Sequence, residues 1–146
     1  MDEQVGYVLK KAASVLRSAM DNALRPLGLT VPQYACLELL RQQPGLSGSE
    51  LARAMFVSRQ SMNLVVKGLE RRGMLTRSPV PRHGKALPTE LTPAGLGQLA
   101  AANEAVSVVE KKMLAALTAD AERRLCADLT ACAAALSDLA GEADPD

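Results

Sequence analysis

Apolar residues recur at three- and four-residue steps through most of the chain, the mark of amphipathic helices. From about Asp2 to Leu24, Val5, Leu9, Ala12, Leu16, Met20 and Leu24 form one stripe, widened by Val8, Ala13, Val15 and Ala19. Pro26 and Gly28 end this first helix. So wide an apolar face needs a cover, either the domain's own core or a second subunit. A second helix is expected from about Pro32 to Gln42, with Tyr34, Cys36, Leu37 and Leu40 inward. Thr30 and Gln33 have capping-box spacing, and Pro32 falls in the first turn, where its missing N–H is harmless. Pro44 and Gly45 stop this helix.

Ser47 and Glu50 repeat the capping box and open a short helix to about Ala54, expected to bury Leu51 and Ala54. Met55, Phe56 and Val57 then read as a three-residue turn packed into the core. Ser58 is the expected N-cap of a helix from Arg59 to Arg72. Met62, Val65, Val66 and Leu69 make its inner stripe, while Gln60, Asn63, Leu64, Lys67 and Arg71 face outward with Arg59 beside them. Gly73 is the expected C-cap. Two strands follow, Met74 to Arg77 and Ala86 to Leu91, and Pro88 in the second must sit at an edge because it cannot donate to a ladder. Two prolines stiffen the intervening SPVPRHGK loop and Gly84 lets it turn, leaving Arg82, His83 and Lys85 at the tip. Helix, turn, helix and basic hairpin in this order spell a winged helix-turn-helix, whose commonest work is reading duplex DNA.

Thr92 and Pro93 begin a long helix to about Leu117, with Leu96, Leu99, Ala100, Val106, Val109, Met113 and Leu117 as its stripe. Thr118 caps a last helix ending near Ala140, with Asp120 and Glu122 near its positive end. The fold class is mostly α with a small β-hairpin wing, in a single domain over 1–146 that closes on a polar tail at 142–146.

Composition fits packed helices: of 146 residues 48% are hydrophobic and only 2% aromatic, so Leu, Val, Ala and Met must fill the core. No apolar run approaches the roughly 18 residues of a membrane span, and no signal peptide is evident, which points to a cytoplasmic protein. Net charge is only +1, but its distribution is uneven. Between Leu51 and Thr89, Arg53, Arg59, Lys67, Arg71, Arg72, Arg77, Arg82 and Lys85 stand against Glu70 alone, a net +7. Such a patch is the electrostatic footprint of phosphate binding, although a solvated basic surface has the same composition.

Ser58, Arg59, Gln60, Asn63 and Lys67 are the residue types for the major groove. Arg bridges guanine O6 and N7, Gln or Asn bridges adenine N6 and N7, and Ser or Lys holds phosphates. An outward Leu64 suits a thymine methyl. Arg82, His83 and Lys85 on a stiff tip suit a minor groove. A surface helix and an exposed hairpin tip are the plainer readings. One histidine, no Gly-rich phosphate loop and no GxSxG leave nothing for catalysis, so no enzyme and no cofactor are expected. Cys36, Cys126 and Cys132 lack metal spacing, so no metal is expected, and all three read as buried structural cysteines.

The segments GYVLKKAASVLR, LGLTVPQYACLELL, LSGSELARAMFVSRQSMNLVVKGLERRGML and LTPAG together resemble the MarR family (multiple antibiotic resistance regulators) of bacterial transcription factors, over nearly the whole chain. The resemblance implies a homodimer on a pseudo-palindromic double-stranded DNA operator. Residues 1–45 and 93–141 would be mainly dimerisation helices, and 46–92 the winged lobe. It implies a repressor released by a small aromatic or phenolic effector bound between dimerisation helices and DNA-binding lobe. Arg17, as a cation for a carboxylate, with Tyr34 and Met55, are the residues for that pocket. Two positions depart from the family pattern. The wing reads PRHGKAL without the usual Asp, Lys85 standing near the usual arginine, and Leu64 replaces a frequent arginine. Family members that sense peroxide carry the cysteine in the first helix, which has none here. Two alternatives stand beside this reading: a redox-switched regulator using Cys36, and a winged-helix protein-interaction module that leaves DNA alone.

Overall fold

The structure is a computed structural model that describes residues 4–77 and 88–142. The chain divides into two compact units, Met1–Val109 and Glu110–Asp146.

In the first unit, α1 (Val5–Leu24) buries only Leu24 fully. Pro26 sits in a 3-10 turn, Arg25–Leu27, closed by Gly28 at φ 68°. α2 (Val31–Gln42) begins with both bonds of its capping box: the Gln33 N–H donates to Thr30 Oγ1 at 3.2 Å and the Thr30 N–H to Gln33 Oε1 at 3.0 Å. α3 (Gly48–Met55) opens with the same device, Ser47 and Glu50 exchanging bonds of 3.2 and 3.1 Å. Each box satisfies N–H groups that a helix start leaves orphaned, so the sequence alone dictates where these helices begin.

α4 (Arg59–Arg71) buries Met62, Val66 and Leu69, with Val65 half-buried. These residues join Leu24, Cys36, Leu37, Leu40, Leu51, Ala52, Leu75 and Leu99 in one core. On α3 the inner partner of Leu51 is Ala52, and Ala54 is exposed, contrary to expectation. The turn after α3 also departs from it. Val57 is exposed, and Phe56 stands 91% exposed at φ 56° and ψ 41°. The reason lies in the backbone: Phe56 is the left-handed C-cap of α3, its N–H turned back to the carbonyls of Ala52 and Arg53, which aims the side chain away from the core. A left-handed conformation costs a non-glycine residue about 1–2 kcal/mol.

β1 (Leu75–Arg77) pairs antiparallel with β2 (Thr89–Leu91) in the register Leu75–Leu91, Thr76–Glu90, Arg77–Thr89. Both strands are shorter than expected, and Pro88 precedes the second instead of interrupting it, so no ladder donor is missed. Thr89 is held on its other side too: its N–H donates to the Leu46 carbonyl at 3.0 Å and its carbonyl accepts from the Gly45 N–H at 3.1 Å. The sheet runs straight into α5 (Pro93–Leu114). There the Thr92 hydroxyl donates to the Gly73 carbonyl at 2.5 Å and accepts from the Gly95 N–H at 3.0 Å. Gly95 lies so close to β1 that a Cβ would stand 1.9 Å from the Met74 carbonyl oxygen, which explains the glycine of LTPAG.

In the second unit, Thr118 caps α6 (Ala119–Glu142), accepting from the Ala121 N–H at 3.1 Å. α5 stops at Leu114, three residues short of expectation. No described residue of α6 is buried: Leu125, Leu129, Leu136 and Leu139 are exposed, and so are Cys126 and Cys132, which were expected inside. A lone helix has no second layer in its own unit to cover its apolar positions.

Candidate nucleic-acid interface and ligand groove

α4 is held from beneath by its apolar stripe, which turns the opposite face outward. Arg59, Gln60, Asn63, Leu64, Lys67 and Arg71 are all exposed on it. Leu64 is 70% exposed, a large apolar side chain left open by the described residues. Ser58 is the N-cap, and its hydroxyl is engaged locally, accepting from the Ser61 N–H at 3.0 Å and donating to Ser61 Oγ at 3.0 Å. It fixes the start of α4, where the positive end of the helix dipole lies.

Two arginines of the basic segment have structural partners that spacing did not reveal. The Arg72 guanidinium donates to the carbonyls of Gly28 (2.6 Å) and Leu27 (3.4 Å), and Gln98 Nε2 donates to the same Leu27 carbonyl at 2.7 Å. This ties the end of α4 to the turn after α1. Arg77 Nη2 donates to Asn63 Oδ1 at 3.3 Å, so β1 reaches across to one of the base-reading candidates on α4. The wing residues Arg82, His83 and Lys85 lie outside the described residues.

A groove of about 530 Å³ opens in the first unit. Its walls include Arg17 from α1, Tyr34 and Glu38 from α2, and Met55, Phe56 and Val57 from the turn before α4. The three residues chosen from the sequence for a pocket, Arg17, Tyr34 and Met55, thus share one concavity, of a size typical for a small ligand. Glu38, Phe56 and Val57 were missed, because nothing in the local pattern marks them.

Charges around the groove are uneven. Arg17 is largely exposed and only loosely paired, its Nε 3.9 Å from the Asp21 carboxylate. Glu38 is fully occupied by comparison: it accepts from Arg41 at 2.6 Å, Gln42 at 3.2 Å and Asn103 at 3.3 Å. The Arg41 guanidinium, aided by both carboxamides, holds the Glu38 carboxyl below its ordinary value against the opposing effect of partial burial. Asn103 also accepts the Tyr34 hydroxyl at 2.6 Å, which fixes that ring as a wall.

Cys36 is buried, and burial pushes its thiol up to about 12. It is a protonated, poorly nucleophilic thiol at neutral pH, ill-suited to an oxidant switch. Among the described residues no group of three or more His, Cys, Asp or Glu is placed to hold a metal ion. None of the described helices is long and apolar enough to cross a membrane.

Known proteins share this arrangement. HTH-type transcriptional repressor Rv2887 of Mycobacterium tuberculosis is 41% identical over 122 residues, covering 84% of this chain and 88% of the relative. The solved structure of Rv2887 with DNA is 38% identical, with a TM-score of 0.77 over 90% of this chain and 98% of that one. The structure of Rv2887 with salicylic acid is 39% identical, with a TM-score of 0.72 over 90% and 97% of the two chains. The MarR family pattern matches residues 27–86, which run from the turn after α1 through both helices of the helix-turn-helix. A capped two-helix unit with its polar face outward, a strand pair after it, and a relative of this identity over most of both chains lead to one assignment: the chain belongs to the MarR family of transcriptional regulators.

Proposed function

We propose that the chain is a cytoplasmic, homodimeric repressor that binds a pseudo-palindromic DNA operator and leaves it when a small aromatic acid or phenol occupies the groove. The observation that carries the DNA-binding part is α4: an apolar stripe anchored in the core and an outward face of Arg59, Gln60, Asn63, Leu64 and Lys67. In this reading Arg59 and Gln60, in the first turn, meet base edges, Asn63 follows one turn later, and Lys67 holds a phosphate. Arg82, His83 and Lys85 extend the contact as a wing. The uncovered apolar residues of α1 and of α6 belong to the dimer.

The groove supplies the control. Two recognition helices must lie about 34 Å apart to enter successive major grooves. A ligand bound against the turn before α4 favours whichever arrangement it fits better, and it lowers operator affinity by its differential affinity for the two states. Arg17 offers a cation to a carboxylate, and Met55 and Tyr34 offer polarisable walls to a ring. Rv2887, whose complex with salicylic acid is known, supports this class of ligand.

The test is operator binding itself, located by footprinting the DNA upstream of the protein's own coding sequence. With about eight phosphates neutralised per dimer, log K against log salt falls with a slope of roughly −7. Arg59→Ala is expected to cost about 1–3 kcal/mol on the operator and to relax base preference. A flat salt titration would exclude the DNA-binding reading and favour a protein-interaction module.

A further inference from the structure

Phe56 has two properties that stability does not explain. It is the only non-glycine residue with positive φ among the described residues, at a C-cap where glycine is the usual choice. Its ring, 91% exposed, gains nothing from the core in return. A residue kept in an unfavourable conformation and turned to solvent is placed for something outside the chain's own packing.

Its position says for what. Phe56 lies on the wall of the groove with Arg17, Tyr34 and Met55. It is also the joint between the two helices of the DNA-reading unit: its N–H caps α3, and Ser58, two residues on, caps α4. The Val57 N–H, bonded to the Ala52 carbonyl at 3.1 Å, ties the intervening residue to the end of α3. Whatever grips the Phe56 ring therefore pulls on the start of the recognition helix through a short, hydrogen-bonded link.

We propose that Phe56 is the ring that closes over an aryl carboxylate held by Arg17 and so transmits occupancy of the groove to α4. This rests on the effector reading above and adds the residue that senses the ligand's ring. Offset stacking against a planar ligand takes the exposed ring out of water. The left-handed backbone has already turned the side chain outward, so little ordering remains for the binding step. Because coupling is reciprocal, operator DNA lowers the affinity for the aryl acid by the same factor as the acid lowers operator affinity.

Phe56 is the chain's only phenylalanine, which makes the test direct. Incorporation of para-fluorophenylalanine into the full chain gives a single fluorine NMR resonance from this ring. Salicylate is expected to shift that resonance saturably, and cyclohexanecarboxylate, with the same charge and no aromatic ring, to leave it in place. Phe56→Gly, which suits the left-handed backbone, and Phe56→Leu should each weaken salicylate binding and operator release by about fivefold to tenfold. Operator affinity without salicylate should stay within about twofold of the parent. Undiminished release in both variants overturns the proposal while leaving the effector reading intact. Loss of operator affinity in Phe56→Gly would make Phe56 a DNA or folding contact and overturn it too. If salicylate fails to release the unmodified protein, the effector reading falls and this inference with it.

Discussion

α1 and α4 carry the same helical periodicity and meet opposite fates. α4 buries Met62, Val66 and Leu69 completely, whereas α1 leaves Val5, Tyr7, Val8, Leu9 and Val15 exposed and buries only Leu24. In α4 the stripe is matched by α2, α3 and the strands within the same unit. In α1 the described residues half-cover Leu16, Ala19 and Met20 and give full cover only at Leu24. Periodicity thus reports that a face needs a partner, and leaves open whether that partner is the same chain or another. The covered helix turns its polar face outward; the uncovered one leaves most of its apolar face without full cover among the described residues.

This contrast can be broken by substitution. Leu69→Ala on the covered face should lower stability by about 2–5 kcal/mol, read as a fall in the urea midpoint at any protein concentration. A cost below about 1 kcal/mol would mean that α4 is not anchored as described. Gly95→Ala, forcing a methyl group onto the Met74 carbonyl, should cost about 1–3 kcal/mol. A neutral result in the same denaturation measurement would contradict the close approach of α5 to β1. Val15→Glu on the uncovered face should behave differently: Val15 is 63% exposed, so the chain's own core is untouched. Its expected effect is on association, weakening the dimer by about tenfold or more in sedimentation and making the melting temperature more concentration-dependent. An unchanged dissociation constant would remove α1 from the interface.

The finest test lies at the edge of the covered region, on α2. Glu38 is held below its ordinary carboxylate value, chiefly by Arg41. Its contribution to stability is therefore full above the unfolded value and disappears as pH falls through the folded one. Glu38→Gln should cost about 0.5 kcal/mol at neutral pH, shrinking towards zero on acidification. A difference between parent and variant that widens in acid would reverse the assigned sign.

Much of the fold was legible because it is written in local chemistry. Thr30 with Gln33, Ser47 with Glu50, Ser58 and Thr118 set helix starts through their own hydrogen bonds, and all four act where their spacing places them. What escaped depends on direction or distance in space. Phe56 reads as a core residue by type, and only its left-handed backbone turns it out. Cys126 and Cys132 sit among Leu and Ala, yet no second layer of their unit lies over them. Arg77 looks like one more cation until β1 brings it to Asn63, and Arg72 until the end of α4 meets the Gly28 carbonyl. The groove was half legible: residue type suggested Arg17, Tyr34 and Met55, but only the fold adds Glu38 and Phe56.

The double attachment of Thr89 has a consequence for how such a regulator can be altered. Thr89 stands opposite Arg77 in the strand pair, while its N–H and carbonyl are both spent on Leu46 and Gly45, the lead-in to α3. The base of the hairpin is thereby registered by groups that belong to the scaffold, independently of which residues lie between Arg77 and Pro88. An exchange of residues 78–87 is therefore expected to leave Arg77 and Thr89 in register, since Gly45 and Leu46 hold Thr89 from outside that segment.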